Sequence, residues 1–148
     1  MKISPFSISK ASSSRARSSS AARLRRDDLA FLIQSDSHVR DMEAKVFRRE
    51  VLVARLSGSP VGWLRFNYFW DTIPFMNMLL VLAPHRGQSV GTRLVKFWEA
   101  EMLSLGYHEV LTSTQVNETA QHFYRKLGYI DVGGFLLPSE PNEELLLH

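Results

Sequence analysis

An apolar run of eight residues, Phe75–Leu82, constrains the fold of this 148-residue chain more than any other feature. Asn77 is the only polar residue in the run, which is typical of a strand that is buried on both faces of a sheet. A polar turn with two glycines, His85–Gly91, follows, and the apolar residues of Thr92–Leu105 then fall on one helical face. The sequence therefore predicts a buried strand, a tight turn and an amphipathic helix, in that order.

Further strands and helices are predicted on both sides of this unit. Short β-prone runs predict strands at Ala21–Arg26, Val51–Leu56, Val61–Phe66, His108–Ser113, Ile130–Leu137 and Glu144–Leu147. Helices are predicted to begin at Asp27, to cover Val39–Arg48 and to follow a capping Asn117, with Gly106 and Gly128 ending the last two helices of the chain. We expect an aromatic-rich loop at Asn67–Pro74. This order of elements predicts an α/β fold in which helices cover a mixed sheet.

Charge and composition set the N-terminal arm apart from the rest of the chain. Residues 1–26 hold seven cations and no acid, whereas the remaining residues hold 11 cations and 15 acids. Six of the ten residues at 11–20 are Ser, so we expect a flexible extension at 1–20 and a single folded domain at 21–148. The arm also has the composition of an organellar transit peptide. Nucleic-acid binding is not expected, because Phe6 is its only aromatic residue for base stacking.

The residue types that are missing from the chain exclude several kinds of site. There is no cysteine, which excludes disulfides, thiolate metal sites and a cysteine nucleophile. No His pair shows metal-ligand spacing with a carboxylate, so no metal is expected, and no apolar window has the about 18 residues that a membrane span needs. A cysteine-free chain fits a reducing compartment. We therefore expect a cytoplasmic protein, or an organellar one if residues 1–20 act as a transit peptide.

The turn between the apolar strand and its helix has the features of an anion site. The free N–H groups of a helix's first turn and the helix dipole attract negative charge. Arg86 adds a cation, and Gly87 and Gly91 would let a phosphate approach the backbone closely. The turn has neither the Gly-Lys-Ser/Thr of a P-loop nor the Gly-x-Gly-x-x-Gly spacing of dinucleotide folds. From these residues alone, an anion site and an ordinary tight connection are equally open.

Two stretches of the sequence resemble signatures of the GNAT superfamily of N-acetyltransferases. Asn117–Tyr129 (NETAQHFYRKLGY) resembles Asn-x-x-Ala-x-x-Phe-Tyr-x-Lys-x-Gly-Phe/Tyr, and Arg86–Gly91 (RGQSVG) resembles Arg/Gln-x-x-Gly-x-Gly/Ala. The resemblance covers the chain from near Ala21 to its C-terminus. It implies a mixed, mostly antiparallel sheet of about six to seven strands with about four flanking helices. It also implies transfer of an acetyl group from acetyl-CoA to an amine by direct attack.

The resemblance assigns roles to individual residues. It places the diphosphate of acetyl-CoA on the backbone of Arg86, Gly87, Gln88, Ser89, Val90, Gly91 and Thr92. It places the pantetheine arm beside Leu80, Val81 and Leu82, where a backbone N–H polarises the thioester carbonyl, and in contact with Asn117. Tyr124 would protonate the departing thiolate, and Lys126 would bind a phosphate of the nucleotide. The residues alone also allow a structural role for each of these three: Asn117 as a helix cap, Tyr124 as a core residue and Lys126 as a solvated cation.

One residue of the turn departs from the family pattern. Ser89 stands where the family usually has its middle glycine. We expect a negative φ at Ser89, as in a first helical turn, in which case the side chain is harmless. A positive φ would strain the loop and lower the affinity for the cofactor.

The general base and the acceptor are the least constrained parts of the assignment. Asp71, directly before the apolar strand, is the first candidate for the base, and the alternative is an ordinary turn aspartate. The expected acceptor is a primary amine of a small molecule or a protein. The main alternative function is an acyl-CoA-binding sensor with a GNAT fold and no turnover. Dimers are common in the superfamily, so a homodimer is the oligomer that the resemblance suggests.

Overall fold

The computed structural model describes residues 6–11 and 20–148, with the side chains of the second range from residue 28 onward. Its strands are β1 Phe6–Lys10, β2 Val51–Leu56, β3 Ser59–Phe69, β4 Ile73–Val81, β5 Leu111–Gln115, β6 Asp131–Phe135 and β7 Glu144–Leu147. Its helices are α1 Ser20–Ser35, α2 Met42–Phe47, α3 Val90–Ser104 and α4 Ala120–Lys126, and a 3-10 turn covers Ala83–His85. No helix within the described ranges is long and apolar enough to cross a membrane.

The seven strands form one mixed sheet in the order β1-β2-β3-β4-β5-β7-β6. The pairs β1–β2, β2–β3, β5–β7 and β6–β7 are antiparallel, and β4–β5 is parallel. A mostly antiparallel sheet of seven strands with four helices is the fold class that the sequence predicted, and this prediction is confirmed.

The first strand lies earlier in the chain than predicted. The prediction of a strand at Ala21–Arg26 is wrong, since these residues belong to α1, where Ala, Leu and Arg all favour a helix. The strand is instead Phe6–Lys10, which pairs along its whole length with β2. A strand of the sheet therefore precedes residue 21, where we expected the domain to begin. Of the expected flexible extension, residues 1–5 and 12–19 lie outside the described residues.

The segment Asn67–Pro74 forms a β-hairpin, so the prediction of a loop there is wrong. β3 continues to Phe69, and β4 begins directly after the turn. The Thr72 N–H donates to the Phe69 carbonyl at 3.1 Å, and Trp70 and Asp71 have φ values of 49° and 62°. Two positive φ values of this size define a type I′ turn, the tightest connection between antiparallel strands. Aromatic side chains favour strands, which explains why this aromatic segment is mostly extended.

The other predicted elements are present with shifted ends. The helix predicted at Val39–Arg48 is limited to Met42–Phe47, and the strand predicted at His108–Ser113 is found at Leu111–Gln115. The predicted ends of α3 and α4 are confirmed, because Gly106 and Gly128 have φ values of 93° and 99°. Left-handed glycines of this kind close helices at their C-termini.

The chain divides into two compact units, which are Met1–Arg65 with Met78–Trp98, and Phe66–Asn77 with Glu99–His148. The first unit has an apolar core between α1, α2 and the neighbouring strands. Its buried members include Leu32, Met42, Val46, Val51, Val53 and Trp63. Polar groups at the end of α1 pair with β3. Trp63 Nε1 donates to Ser35 Oγ at 2.9 Å, and Arg65 Nε donates to the buried Asp36 Oδ2 at 2.8 Å.

Aromatic rings pack against one another in the second unit. The rings of Tyr68 and Tyr107 have centroids 5.5 Å apart, and those of Tyr124 and Tyr129 are 5.7 Å apart. Tyr124 and Tyr129 are both buried, and Tyr129 donates a hydrogen bond from its hydroxyl to Glu99 Oε1 at 3.1 Å. The unit therefore holds two phenol groups that are largely withdrawn from water.

Candidate active site

The turn that joins β4 to α3 contains two residues with a left-handed backbone conformation. After the 3-10 turn at Ala83–His85, Arg86 is extended, with φ −70° and ψ 152°. Gly87 and Ser89 then take positive φ values of 73° and 62° before α3 begins at Val90. Alternation of this kind turns successive N–H groups toward one side and makes a concave anion-binding nest.

The N–H groups of this turn have no backbone acceptor among the described residues. The first backbone hydrogen bond of α3 runs from the Arg93 N–H to the Ser89 carbonyl at 3.0 Å. Within the described part of the chain, the N–H groups of residues 87–92 donate no backbone hydrogen bond. They lie at the positive end of a 15-residue helix, where the helix dipole favours negative charge. The turn therefore has the donors and the field of an anion site.

Ser89 differs from the sequence-based expectation. The prediction of a negative φ at Ser89 is wrong, since its φ is 62°. Ser89 lies before the first helical residue, so it does not share the geometry of the helix. A left-handed conformation costs a residue with a Cβ about 1–2 kcal/mol. The site therefore contains a strained serine at a position where glycine would be relaxed.

The side chain of Arg86 is held across the turn by a hydrogen bond to the backbone. Its Nε donates to the Val81 carbonyl at 2.9 Å, and the residue is otherwise exposed. This bond uses only the Nε–H of the guanidinium. Within the described part of the chain, the two terminal nitrogens of the exposed side chain are free for a ligand. Arg86 thus places a fixed positive charge beside the last residue of β4.

The backbone of β4 is approached closely by β3. A Cβ added to Gly62 would lie 2.8 Å from the Leu80 carbonyl oxygen, so only glycine allows β3 to pass there, and the Leu82 N–H donates to the Val61 carbonyl at 2.9 Å. Earlier in β4, Phe75 pairs with Leu111 and Met76 with Thr112 of β5.

Tyr124 lies on α4 in a buried aromatic environment. The residue is 6% exposed, and its ring packs edge-on against Phe123 at 5.2 Å. Burial raises the pKa of Tyr124 to about 12, while the neighbouring Thr112 hydroxyl lowers it and the charge of Glu118 raises it. The Thr112 hydroxyl itself donates to the Met76 carbonyl at 3.0 Å. Tyr124 is thus a neutral hydrogen-bond donor over the whole physiological pH range.

The raised pKa of Tyr124 predicts a loss of stability in alkali. Because the fold favours the neutral phenol, the folded chain binds more protons than the unfolded chain between pH 10 and about 12. The stabilisation, about 2–3 kcal/mol, is complete below pH 10 and is lost as the pH rises through about 12. Burial also raises the pKa of Tyr129, which acts in the same direction. Urea unfolding at a series of alkaline pH values should show a steeper loss for the native chain than for Tyr124→Phe. Equal losses of stability with pH in the two proteins would contradict a raised pKa of Tyr124.

Asn117 does not cap α4, so this structural prediction is wrong. The helix begins at Ala120 after Thr119, whose side chain makes no capping bond. The nearby Glu118 closes the turn instead, because its Oε2 accepts from Thr114 Oγ1 at 2.6 Å and from the Gln115 N–H at 3.1 Å. Asn117 is exposed in this turn. Its side chain is available for another contact, which is the role that the family resemblance gives it.

Two other predicted site residues, Lys126 and Asp71, lie on the surface of the second unit. Lys126 is exposed in the last turn of α4, next to Arg125, whose guanidinium is held by Asp131 at 3.1 and 2.9 Å. Asp71 is exposed at the tip of the β3–β4 hairpin, with a φ of 62°. No hydrogen bond or ion pair of Asp71 is found within the described ranges, and its role as a base stays a prediction.

The predicted site residues divide between the two compact units. Leu80, Val81, Leu82, Arg86, Gly87, Gln88, Ser89, Val90, Gly91 and Thr92 belong to the first unit, where they form one continuous strand, turn and helix start. Asp71, Asn117, Tyr124 and Lys126 belong to the second unit. Each group therefore forms a site element of its own unit.

Asn77 is a polar residue of β4 for which the sequence predicted no role. Its Oδ1 is buried and has no hydrogen-bond partner within the described residues. It follows directly on Met76, where the ladder between β4 and β5 ends. The signal that could have identified it is its position as the only polar residue in the run Phe75–Leu82. Unpaired buried polar atoms are rare in folded proteins, and they mark positions where strain or function sets the residue.

Comparison with known proteins identifies the family. Residues 19–129 match the model of the acetyltransferase (GNAT) family, and the chain belongs to this family. No curated protein matches it. Among solved structures it is similar to Ard1 from Thermoplasma volcanium, with 15% identity over 97% of both chains and a TM-score of 0.69. It is also similar to Arabidopsis thaliana Naa50, solved with the bisubstrate analogue CoA-Ac-MVNAL, with 17% identity over 97% of both chains and a TM-score of 0.65.

A further similar structure is larger than this chain. It is a protein named as a streptothricin acetyltransferase from Bacillus anthracis str. Ames, solved in complex with acetyl coenzyme A. The identity is 19% and the TM-score 0.60, and the match covers 66% of this chain but only 59% of that protein. At identities of this size, the solved structures show a shared fold.

Proposed function

We propose that this chain transfers the acetyl group of acetyl-CoA to a primary amine of a small molecule or a protein. The observation that carries the proposal is the row of N–H groups at residues 87–92, which have no backbone acceptor in the described part of the chain and open at the positive end of α3. Membership of the acetyltransferase (GNAT) family supports the same activity. The ligands of Naa50 and of the Bacillus anthracis protein, a CoA conjugate and acetyl coenzyme A, support acetyl-CoA as the acyl donor.

The residues of the turn fit a diphosphate. A group with two negative charges suits a nest of N–H donors at a helix N-terminus, with the guanidinium of Arg86 beside it. A Cβ added at Gly87 meets nothing within 4 Å, so the surface of the turn there is open to a ligand. When bound, acetyl-CoA supplies an activated thioester that an amine attacks directly. The turn holds the donor and leaves the thioester end free to lie along β4.

The pantetheine arm is proposed to lie beside Leu80, Val81 and Leu82, in the manner of an added strand. The Leu82 N–H and the carbonyls of Val81 and Leu82 already have partners in Val61, Arg86 and His85. A backbone N–H near Val81 orients and polarises the thioester carbonyl, which is the role of an oxyanion donor. Asn117 contacts the pantetheine with a side chain that does not cap α4. Lys126 contacts a nucleotide phosphate, since the neighbouring Arg125 is already paired with Asp131.

Tyr124 is the proposed general acid. Its buried hydroxyl stays protonated at neutral pH and donates a proton to the sulfur as the thiolate leaves. The amine loses its own proton to water or to Asp71, which remains the candidate base. In this scheme the chain binds and orients acetyl-CoA and supplies one proton. It forms no covalent bond to the acetyl group.

Calorimetry with the full chain tests the donor site. We expect acetyl-CoA to bind at least about ten-fold more tightly than acetyl-pantetheine, which lacks the diphosphate, because only the first ligand engages the charged turn. Release of the CoA thiol is then measured over a panel of small amines and peptides with a free N-terminus. Turnover on any of these amines supports the transferase. Binding without turnover on all of them supports an acyl-CoA-binding sensor, and equal affinity for the two ligands overturns the diphosphate site.

A further inference from the structure

A cleft of about 400 Å³ lies between β1 and the first half of α3, within the first compact unit. Its volume falls in the range of about 300–1,000 Å³ that is usual for ligand sites. The proposed contacts of acetyl-CoA include none of the residues that line it. These residues are Phe6, Ser7 and Ile8 of β1 and Arg93, Lys96 and Phe97 of α3.

One wall of the cleft is an edge of the sheet. β1 is the first strand in the sheet order and, among the described residues, pairs with β2 alone, in one unshifted antiparallel register. The Ala11 N–H continues this register and donates to the Val51 carbonyl at 2.8 Å. Because inward-bonded residues alternate in an antiparallel ladder, Ser7 and Ser9 also bond toward β2. The backbone N–H and C=O groups of Phe6 and Ile8 therefore point toward the open edge.

The other wall is a face of α3 that carries a stacked cation. Arg93, Lys96 and Phe97 are spaced i, i+3 and i+4, so they lie on the same side of the helix. The guanidinium carbon of Arg93 lies 3.5 Å from the centre of the Phe6 ring. A guanidinium that stacks on a ring keeps the N–H donors at its edge for a carboxylate. Within the described ranges, the Arg93 guanidinium has no hydrogen bond or ion pair, so these donors are available.

The charges of the cleft favour an acidic partner. Two of its six lining residues, Arg93 and Lys96, are cations, and none of the six is acidic. The segments 1–5 and 12–19, which flank β1 in the sequence and lie outside the described residues, carry cations and no acid. Two copies of the cleft that met edge to edge would bring their cations together. Neither these segments nor a second copy of the cleft is therefore complementary in charge.

We propose that the cleft binds an extended, acidic peptide segment of a partner protein, which adds a strand to the open edge of β1. Strand addition to a sheet edge is a recurring mode of peptide recognition, in which main-chain bonds hold the peptide and alternate side chains give specificity. The outward backbone groups of Phe6 and Ile8 hold the segment, and a carboxylate of the segment pairs with Arg93. An apolar side chain lies beside Phe97, which is 38% exposed. The site does not depend on the proposed acetyltransferase activity.

Fluorescence anisotropy of the full chain with two labelled peptides tests the proposal. The acidic probe, Thr-Glu-Thr-Phe-Thr-Glu-Thr, presents Glu, Phe and Glu on one face of a strand, and the basic probe has Lys in place of both Glu residues. We expect the acidic probe to bind at least about ten-fold more tightly, because only its carboxylates can form charge-assisted hydrogen bonds with Arg93. Absence of binding by the acidic probe, or equal affinity for the two probes, overturns the proposal.

Arg93→Glu tests the side-chain contact. This variant reverses the charge that lies over Phe6, and we expect its affinity for the acidic probe to fall at least about ten-fold. The matched control is Arg40→Glu, which makes the same change of charge at an exposed residue outside the cleft and should bind like the native chain. An Arg93→Glu variant with native affinity overturns the proposal, and so does an equal loss in both variants.

Ile8→Pro tests the backbone contact. Proline removes the outward N–H of Ile8 and leaves the inward bonds of β1 to β2 in place, as edge strands tolerate. We expect weaker binding of the acidic probe than in Ile8→Val, which keeps the N–H, and equal affinity of the two variants would contradict strand addition. Saturating acetyl-CoA should leave binding of the acidic probe unchanged. Displacement of the probe by acetyl-CoA would place the peptide on the turn at residues 86–92 and overturn the proposal.

Discussion

Replacing Tyr124 by Phe is expected to lower the turnover number of acetyl transfer by about 100-fold or more, while the affinity for acetyl-CoA stays nearly the same. The substitution removes only the hydroxyl, which we propose as the proton donor to the leaving thiolate. It keeps the ring that packs against Phe123 and Tyr129, so the site should retain its shape. The measurements are thiol release with an amine that the native chain acetylates, and calorimetry with acetyl-CoA.

Tyr129→Phe is the matched control for this experiment. Tyr129 is as buried as Tyr124, at 6% exposure, and loses one hydrogen bond, to Glu99, on the same substitution. We expect this variant to lose about 1 kcal/mol of stability and to keep its turnover. If both variants lose turnover equally, the effect comes from packing. If Tyr124→Phe turns over like the native chain, Tyr124 is not the acid.

The parts of the fold that the sequence predicted well have local signals. The apolar run of β4 is unbroken except at Asn77, and the helix that follows it has a clear apolar face. The ends of α3 and α4 were also predictable, since Gly106 and Gly128 provide the left-handed residue that closes a helix. In each case a few neighbouring residues determine the conformation, so no knowledge of the rest of the chain is needed.

The parts that the sequence did not predict depend on distant partners. β1 has only two large apolar residues, Phe6 and Ile8, and it is a strand because it can pair with β2. The β3–β4 hairpin is not predictable from its turn residues, because Trp70 and Asp71 are not of the Asn-Gly type that normally marks a type I′ turn. In β1 the pairing with β2 outweighs a weak local signal, whereas in the hairpin the aromatic residues favour strands and only the turn lacks a local signal.

The candidate site shows the same division. The family motifs located the residues of the turn and of α4, which composition alone could not do. Their conformations were less predictable, because Asn117 lacks its expected capping role in a helix that begins only at Ala120, after Thr119. The positive φ of Ser89 was likewise not predictable, because Ser89 lies one residue before the first helical residue, Val90. Motifs therefore identify residues, and the hydrogen bonds around them determine their geometry.

Replacing Ser89 by Asp is expected to weaken acetyl-CoA binding by about 100-fold, through repulsion between the new carboxylate and the diphosphate. The fold should not suffer, for two reasons. Asp tolerates a left-handed φ better than most residues, and a carboxylate just before a helix interacts favourably with the free N–H groups and the dipole. The variant should therefore unfold at the same urea concentration as the native chain, or a higher one, while calorimetry shows a much larger Kd.

Two further variants, Ser89→Gly and Ser104→Asp, test the backbone strain of the turn and the effect of net charge. The glycine relieves the strain of a φ of 62° and should raise the free energy of unfolding by about 1 kcal/mol, with acetyl-CoA binding at least as strong as in the native chain. Ser104→Asp adds the same negative charge to the exposed last residue of α3 and should leave binding unchanged. Unaltered affinity of Ser89→Asp would place the diphosphate away from this turn. Loss of affinity in Ser104→Asp as well would show that the effect is one of net charge, because Ser89 and Ser104 lie at opposite ends of α3.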